Sequence, residues 1–206
     1  MKTSLILFVF FVLTTSLTAL AHDQDSEKGK GEIGMTFSSL GNVDYLSFAK
    51  SVGGPGYRGN GYNAVGLNYI YRINKTFDFE TGIEYSAYKI IIEPNLPDIY
   101  HGVASLAKFS LINIPASVRL NFLRFFFLNG GAFFDVNAGD SGNIGHQGGI
   151  GANLGIGCKY DFNCGWSIFV NPYTKVHSII PISASGSQGR LIESGFRFGL
   201  LYRLKK

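Results

Sequence analysis

From about residue 32 onward the chain is a series of stretches in which apolar and polar side chains alternate one for one. A period of two marks a β-strand with one apolar face. Near the end, Phe196, Phe198, Leu200, Tyr202 and Leu204 share one parity, while Gly195, Arg197, Gly199 and Arg203 share the other. Earlier, Ile150, Ala152, Leu154, Ile156, Cys158 and Tyr160 alternate with Gly151, Asn153, Gly155, Gly157, Lys159 and Asp161. Phe77, Phe79, Ile83 and Tyr85 likewise oppose Asp78, Glu80, Gly82 and Glu84. The pattern predicts eight strands, over residues 32–40, 62–73, 77–92, 108–122, 125–136, 149–162, 166–176 and 191–204.

The connections alternate in length. Segments 41–61, 93–107, 137–148 and 177–190 are long and rich in Gly, Pro, Asn and Ser; 74–76, 123–124 and 163–165 are short. Greek-key crossovers would break this rhythm in a sandwich. It suits an all-β, eight-stranded antiparallel up-and-down transmembrane β-barrel, with loops on one rim, turns and both termini on the other. If Ile73 and Phe77 share the apolar face, the first turn is Asn74-Lys75-Thr76, and Arg72 lies opposite Asp78.

Parity alone does not say which face is outside. A soluble carrier barrel, the alternative fold, points its apolar face inward. Here the polar face is poor in Lys and Glu and heavy in Gly, which fits a crowded lumen better than a surface in water. Phe126, Leu128, Phe134 and Trp166 then face lipid, and Tyr71, Phe77, Phe122, Phe126, Tyr160, Trp166 and Tyr202 form an aromatic girdle near the short turns.

Composition agrees with that choice. Charged residues make up 16% of 206, with 27 Gly, 18 Phe and 11 Tyr, whereas a soluble domain carries about 25% charged residues. The net charge of +4 is scattered, without the basic block a nucleic acid would need. Lys2, the apolar run 5–13 and Ala19-Leu20-Ala21 have the layout of a signal peptide, residues 1–21. A polar tail, 22–31, and the barrel domain, 32–206, follow. No later stretch reaches the ~18–20 uninterrupted apolar residues of a membrane helix. The expected location is the outer membrane, after signal-directed export, with periplasmic termini.

The inward-facing charges are Arg72, Asp78, Glu80, Glu84, Arg119, Lys159, Asp161, Arg197 and Arg203. Both signs are present, so they read as a neutralising lumen network in a barrel just wide enough to be filled by its own side chains. His22, His101, His146 and His177 fall in the tail or in and beside long loops, without metal-ligand spacing, so no metal or cofactor is expected. Ser105, Ser110, His101 and Glu93 lie near one rim, but no Gly-x-Ser-x-Gly elbow accompanies them, and the chain does not read as an enzyme. The Gly-rich segment 53–61 lacks the Gly-Lys-Ser/Thr ending of a phosphate loop. Cys158 and Cys164 are a candidate disulfide, placed diagonally at ~7–8 Å, the limit of reach. Pro115 removes a ladder donor and predicts a bulge or an opened hydrogen bond.

The segment Leu111-Ile112-Asn113-Ile114-Pro115-Ala116-Ser117-Val118-Arg119-Leu120 resembles a strand of the small PorT-like outer-membrane β-barrel family of Bacteroidota. Phe127-Leu128-Asn129-Gly130-Gly131-Ala132-Phe133, the Gly-rich sixth strand and the closing Gly-Leu-Leu-Tyr-Arg-Leu are similar to that family as well. The resemblance implies the fold and the location but no particular activity, and the Leu204-Lys205-Lys206 ending departs from the family's usual terminal aromatic. Expected partners are outer-membrane lipids, the barrel-assembly machinery during insertion, and an extracellular or envelope protein at the loops. The expected role is structural or interactive. A narrow solute channel is the alternative, and a lipid-modifying enzyme ranks below both.

Overall fold

The computed structural model describes residues 31–47, 56–93, 104–139, 148–182 and 189–204. The predicted signal peptide, nearly all of the tail, His22, His101, His146 and the terminal lysines lie outside the described residues. The strands are β1 (Gly31–Ser47), β2 (Gly56–Arg72), β3 (Phe77–Glu93), β4 (Ser105–Phe122), β5 (Phe126–Asn137), β6 (Gly149–Asp161), β7 (Trp166–Pro181) and β8 (Gly189–Arg203). Each pairs antiparallel with the next, and β1 closes on β8 from Glu32↔Arg203 to Ser47↔Gly189. Closure leaves no unpaired edge, the condition for spanning hydrocarbon with strands.

The turns fix the registers of the pairs they join. Arg72 lies opposite Asp78, and Ile73 N–H donates to the Phe77 carbonyl at 3.0 Å, so the first turn is Asn74-Lys75-Thr76. Asn74 Oδ1 accepts from Thr76 and Phe77 N–H at 2.8 and 2.7 Å and locks it. The second turn takes in Phe125 as well as Leu123 and Arg124, because Phe122 pairs with Phe126. In the third, Asn163-Cys164-Gly165, Gly165 sits at φ +88°, the left-handed position that favours glycine in a three-residue hairpin.

β1, β2 and β7 run further toward the loops than alternation predicts. The cause is a bulge in each. The β1–β8 register shifts between Ser39 and Asn42, β2–β3 between Gly59 and Tyr62, and β6–β7 opposite Gly151. The single extra residue in β1 and in β2 reverses the parity beyond it, so Val43 and Tyr57 again turn inward while Asn42 and Arg58 turn out. β7 takes two extra residues and keeps its parity, with Val176 opposite Ala152 and Ile180 opposite Ile150. Pro115 makes no bulge. Pairing of β3 with β4 lapses between Thr81↔Ala116 and Glu84↔Asn113 and resumes in the same register.

Outward positions form an apolar wall: Met35, Leu67, Ile83, Leu154 and Leu200 are all well exposed. Tyr71, Phe77, Phe126, Tyr160, Trp166 and Tyr202 ring the turn end, with Trp166 and Tyr202 packed at 5.1 Å between centroids. A continuous apolar surface of this kind suits acyl chains and not water. The architecture is a transmembrane β-barrel. Its inside is filled by rings lying over glycines: a Cβ on Gly157 would come within 2.4 Å of the Phe127 ring, and one on Gly199 within 2.0 Å of Phe169.

Candidate functional site

The chemistry gathers in the lumen, in three tiers. At the turn end Lys159 Nζ donates to both Glu32 carboxylate oxygens at 2.8 and 2.6 Å and lies 3.2 Å from Asp161. Arg72 reaches Asp78 at 3.7 Å and Glu32 at 3.9 Å; Arg203 reaches Glu32 at 3.9 Å and Asp161 at 3.8 Å. Asn121 donates to Asp78 at 2.7 Å. This tier is partly open to solvent, so its pairs are screened and individually weak.

The middle tier is sealed. Glu80 accepts from Arg119 Nε at 2.6 Å and from Asn68 at 2.6 Å, and pairs with Arg197 at 3.1 Å. The Arg119 guanidinium lies between the rings of Phe127 and Phe169, 4.5 and 4.6 Å from their centroids. Asn171 accepts from Arg197 at 3.1 Å and donates to Asn129 at 3.0 Å, carrying the network across the barrel. Ile70 and Leu201 complete an apolar collar with the two rings.

The loop-side tier is equally buried. Lys175 pairs with Glu84 and lies 3.7 Å from Glu193. Glu193 accepts from the hydroxyls of Tyr88 and Tyr173, and Tyr173 meets Tyr62 at 3.0 Å. His177 stands between two carboxylates, with Nδ1 2.9 Å from Asp135 and Nε2 3.5 Å from Glu193; Asn113 also donates to Asp135. Beyond it Val43, Ile90, Phe109, Leu111 and Leu191 close the loop end. These five are at most 5% exposed, and Glu80, Arg119 and Arg197 at most 4%. Exposure that low leaves no water-wide passage beside them. Paired and hydrogen-bonded charge is the form in which ions tolerate such burial.

All nine charges expected in the lumen are ion-paired there. The sequence reading missed Glu32, Asp135, Lys175, His177 and Glu193. Parity was a usable signal for Lys175 and Glu193, which lie directly opposite one another on β7 and β8. His177 corrects an expectation: it is a fully buried strand residue, not a loop residue, because β7 continues past Val176 through its bulge. The cysteine pairing is corrected too, since Cys158 and Cys164 are both free and exposed. Cys158 pairs across to Val170, while Cys164 sits at the turn tip. The four residues from Cys158 to Phe162 span about 13 Å of strand, beyond disulfide reach. Of the rim residues considered for hydrolysis, Ser105 lies opposite Ile92, and Ser110 accepts from the Tyr85 hydroxyl at 2.8 Å. Among the described residues no His, Cys, Asp and Glu cluster has the arrangement of a metal site.

No family model matches the chain, and no curated protein matches it either. Solved structures do match in fold. The outer membrane protein AlkL, determined by solid-state NMR in DMPC bilayers, aligns with TM-score 0.55 at 9% identity, over 90% of this chain and 95% of that one. The outer membrane protein OprG of Pseudomonas aeruginosa aligns with TM-score 0.55 at 10% identity, over 87% and 97%. At such identities the likeness concerns the fold, which is that of small outer-membrane β-barrels.

Proposed function

We propose that this chain is a non-enzymatic outer-membrane barrel that serves the cell envelope as a structural or interaction protein. In this reading the signal peptide directs export, the termini and short turns face the periplasm, and the longer connections face outward, where they meet a protein partner. The same reading places the chain in the PorT-like family of Bacteroidota, on the strand resemblances given above.

The observation that carries the role is the filled lumen. Glu80, Arg119 and Arg197 lock the centre, and Val43, Ile90, Leu111 and Leu191 close the loop end. A barrel with no water-wide axis has its wall and its rims left for recognition. Planar-bilayer recording tests this. The folded protein is expected to give no steady single-channel current; reproducible conductance steps would refute the closed reading and favour the channel. Membrane fractionation combined with gel mobility before and after boiling tests the location, because a closed barrel resists detergent unfolding at room temperature.

A further inference from the structure

Below the loop rim, every outward-facing strand residue described is uncharged. The first outward charges met on climbing β3 and β4 are Lys89 and Lys108, and they stand directly opposite each other. Like charges in that relation are destabilising. Neither lysine is ion-paired to another described residue, and Arg58 on β2 adds a third outward cation nearby. The acidic residues of this rim, Asp44 and Glu93, make no ion pair with any of them among the described residues.

Height says what lies alongside. Lys89 is twelve residues along β3 from Phe77. At about 3.3 Å per residue and a tilt of about 40°, that is about 30 Å above the turn rim. The apolar band of such barrels is about 25 Å tall, so the lysine pair emerges at the headgroup level. A hollow of about 570 Å³ opens there on the outer wall, with Lys89, Lys108, Asn60, Asn63 and Ser110 among its lining. Asn60 lies in the β2 bulge facing Lys89, so the bulge that extends the strand also sets a hydrogen-bonding amide beside the cation. Below run Ala87, Tyr85 and Ile83 on β3, with Val65 and Ile112 flanking Tyr85, a largely apolar strip for an acyl chain.

We infer that Lys89 and Lys108 form a site for the phosphate-bearing headgroup of an outer-leaflet lipid, with Asn60, Asn63 and Ser110 as polar partners and the acyl chain lying down the wall. The anion neutralises a juxtaposition that otherwise costs stability, and ammonium–phosphate hydrogen bonds are of the strong, charge-assisted kind. The inference rests on the wall facing a bilayer, as proposed above.

The test uses the full folded protein in dodecyl maltoside, titrated with bisphosphorylated lipid A and read by native mass spectrometry. Wild type is expected to retain one lipid. K89Q/K108Q should bind it about a hundredfold or more weakly, the loss expected from two charged hydrogen bonds, and K89R/K108R should retain it. Without lipid A, K89Q should raise the unfolding temperature; with lipid A the order should reverse. Equal retention by wild type and K89Q/K108Q, or no reversal, would overturn the inference. Lipid A that stays bound in millimolar inorganic phosphate supports a lipid headgroup, whereas full displacement overturns it in favour of a free anion. Folding of each variant is checked first by heat-dependent gel mobility; a chain that never partitions into membranes would instead defeat the proposed location.

Discussion

Replacing Arg119 by Met isolates the energetics of the sealed lumen. Arg119→Met removes the 2.6 Å bond to Glu80 but leaves that carboxylate with Arg197 at 3.1 Å and Asn68 at 2.6 Å. Breaking a buried pair costs about 3–5 kcal/mol, and the surviving partners set the lower end, about 3. The guanidinium also leaves the faces of Phe127 and Phe169. Met still packs there, so that loss is about 1 kcal/mol in total. At a urea dependence of about 2 kcal/mol per molar, the sum of about 4 kcal/mol lowers the unfolding midpoint by about 2 M. The single tryptophan, Trp166, faces outward at the turn end, so its emission in lipid vesicles follows unfolding directly. Glu80→Gln should cost a similar amount, because it leaves two guanidinium groups facing each other without a counter-charge. A midpoint shift below about 0.5 M for Arg119→Met would show that the triad does not hold the core together.

Gly199→Ala puts a Cβ 2.0 Å from the Phe169 ring and is expected to cost about 1–3 kcal/mol in the same assay, partly restored by Phe169→Leu; wild-type stability for the alanine variant would refute the ring-over-glycine packing. Lys175→Met leaves Glu84 and Glu193 without their shared cation and should destabilise by about 3–5 kcal/mol, measured by the urea midpoint; an unchanged midpoint would mean the loop-side tier is not buried as described. Thiol titration of protein unfolded without reductant should find both cysteines reactive, and a protein with no free thiol would restore the disulfide.

Strand existence, closure and the outward direction of the apolar face were legible because each rests on a local period and on loop length. What was lost lies beyond the bulges. A fixed period of two ends wherever an extra residue enters, so the reading stopped β1 at Leu40, began β2 at Tyr62 and ended β7 at Val176. Leu40 and Ser178 take left-handed backbone angles, φ 59° and 51°, which no feature of their side chains announces. His177 still keeps the inward parity of Tyr173 and Lys175, so alternation by itself could have carried the strand to it. The alternation breaks just past it, at Ser178, and beside that break a buried histidine held by two carboxylates looks like the first residue of a loop.

A lumen filled by its own side chains was expected, but the pairings that fill it escaped for a different reason, which is register. A three-residue turn sets which residues of its two strands face each other, so Arg72 opposite Asp78 could be read directly. Strands joined by long loops carry no such information, and the pairings that plug the barrel are of that kind. Phe127 pairs with Gly157 and Phe133 with Gly151 across β5 and β6; Phe169 pairs with Gly199 across β7 and β8. Each of these three inward rings has a glycine as its direct cross-strand partner and lies over it, so the polar parity carries both glycines and large aromatics. Slipping either pair by one residue would set inward rings against outward side chains on the partner strand. The rings and glycines therefore fix the register that the loops leave open. The same steric fit that closes the lumen also selects the strand pairing, so a substitution that fills one of these glycines should disturb pairing and plug together.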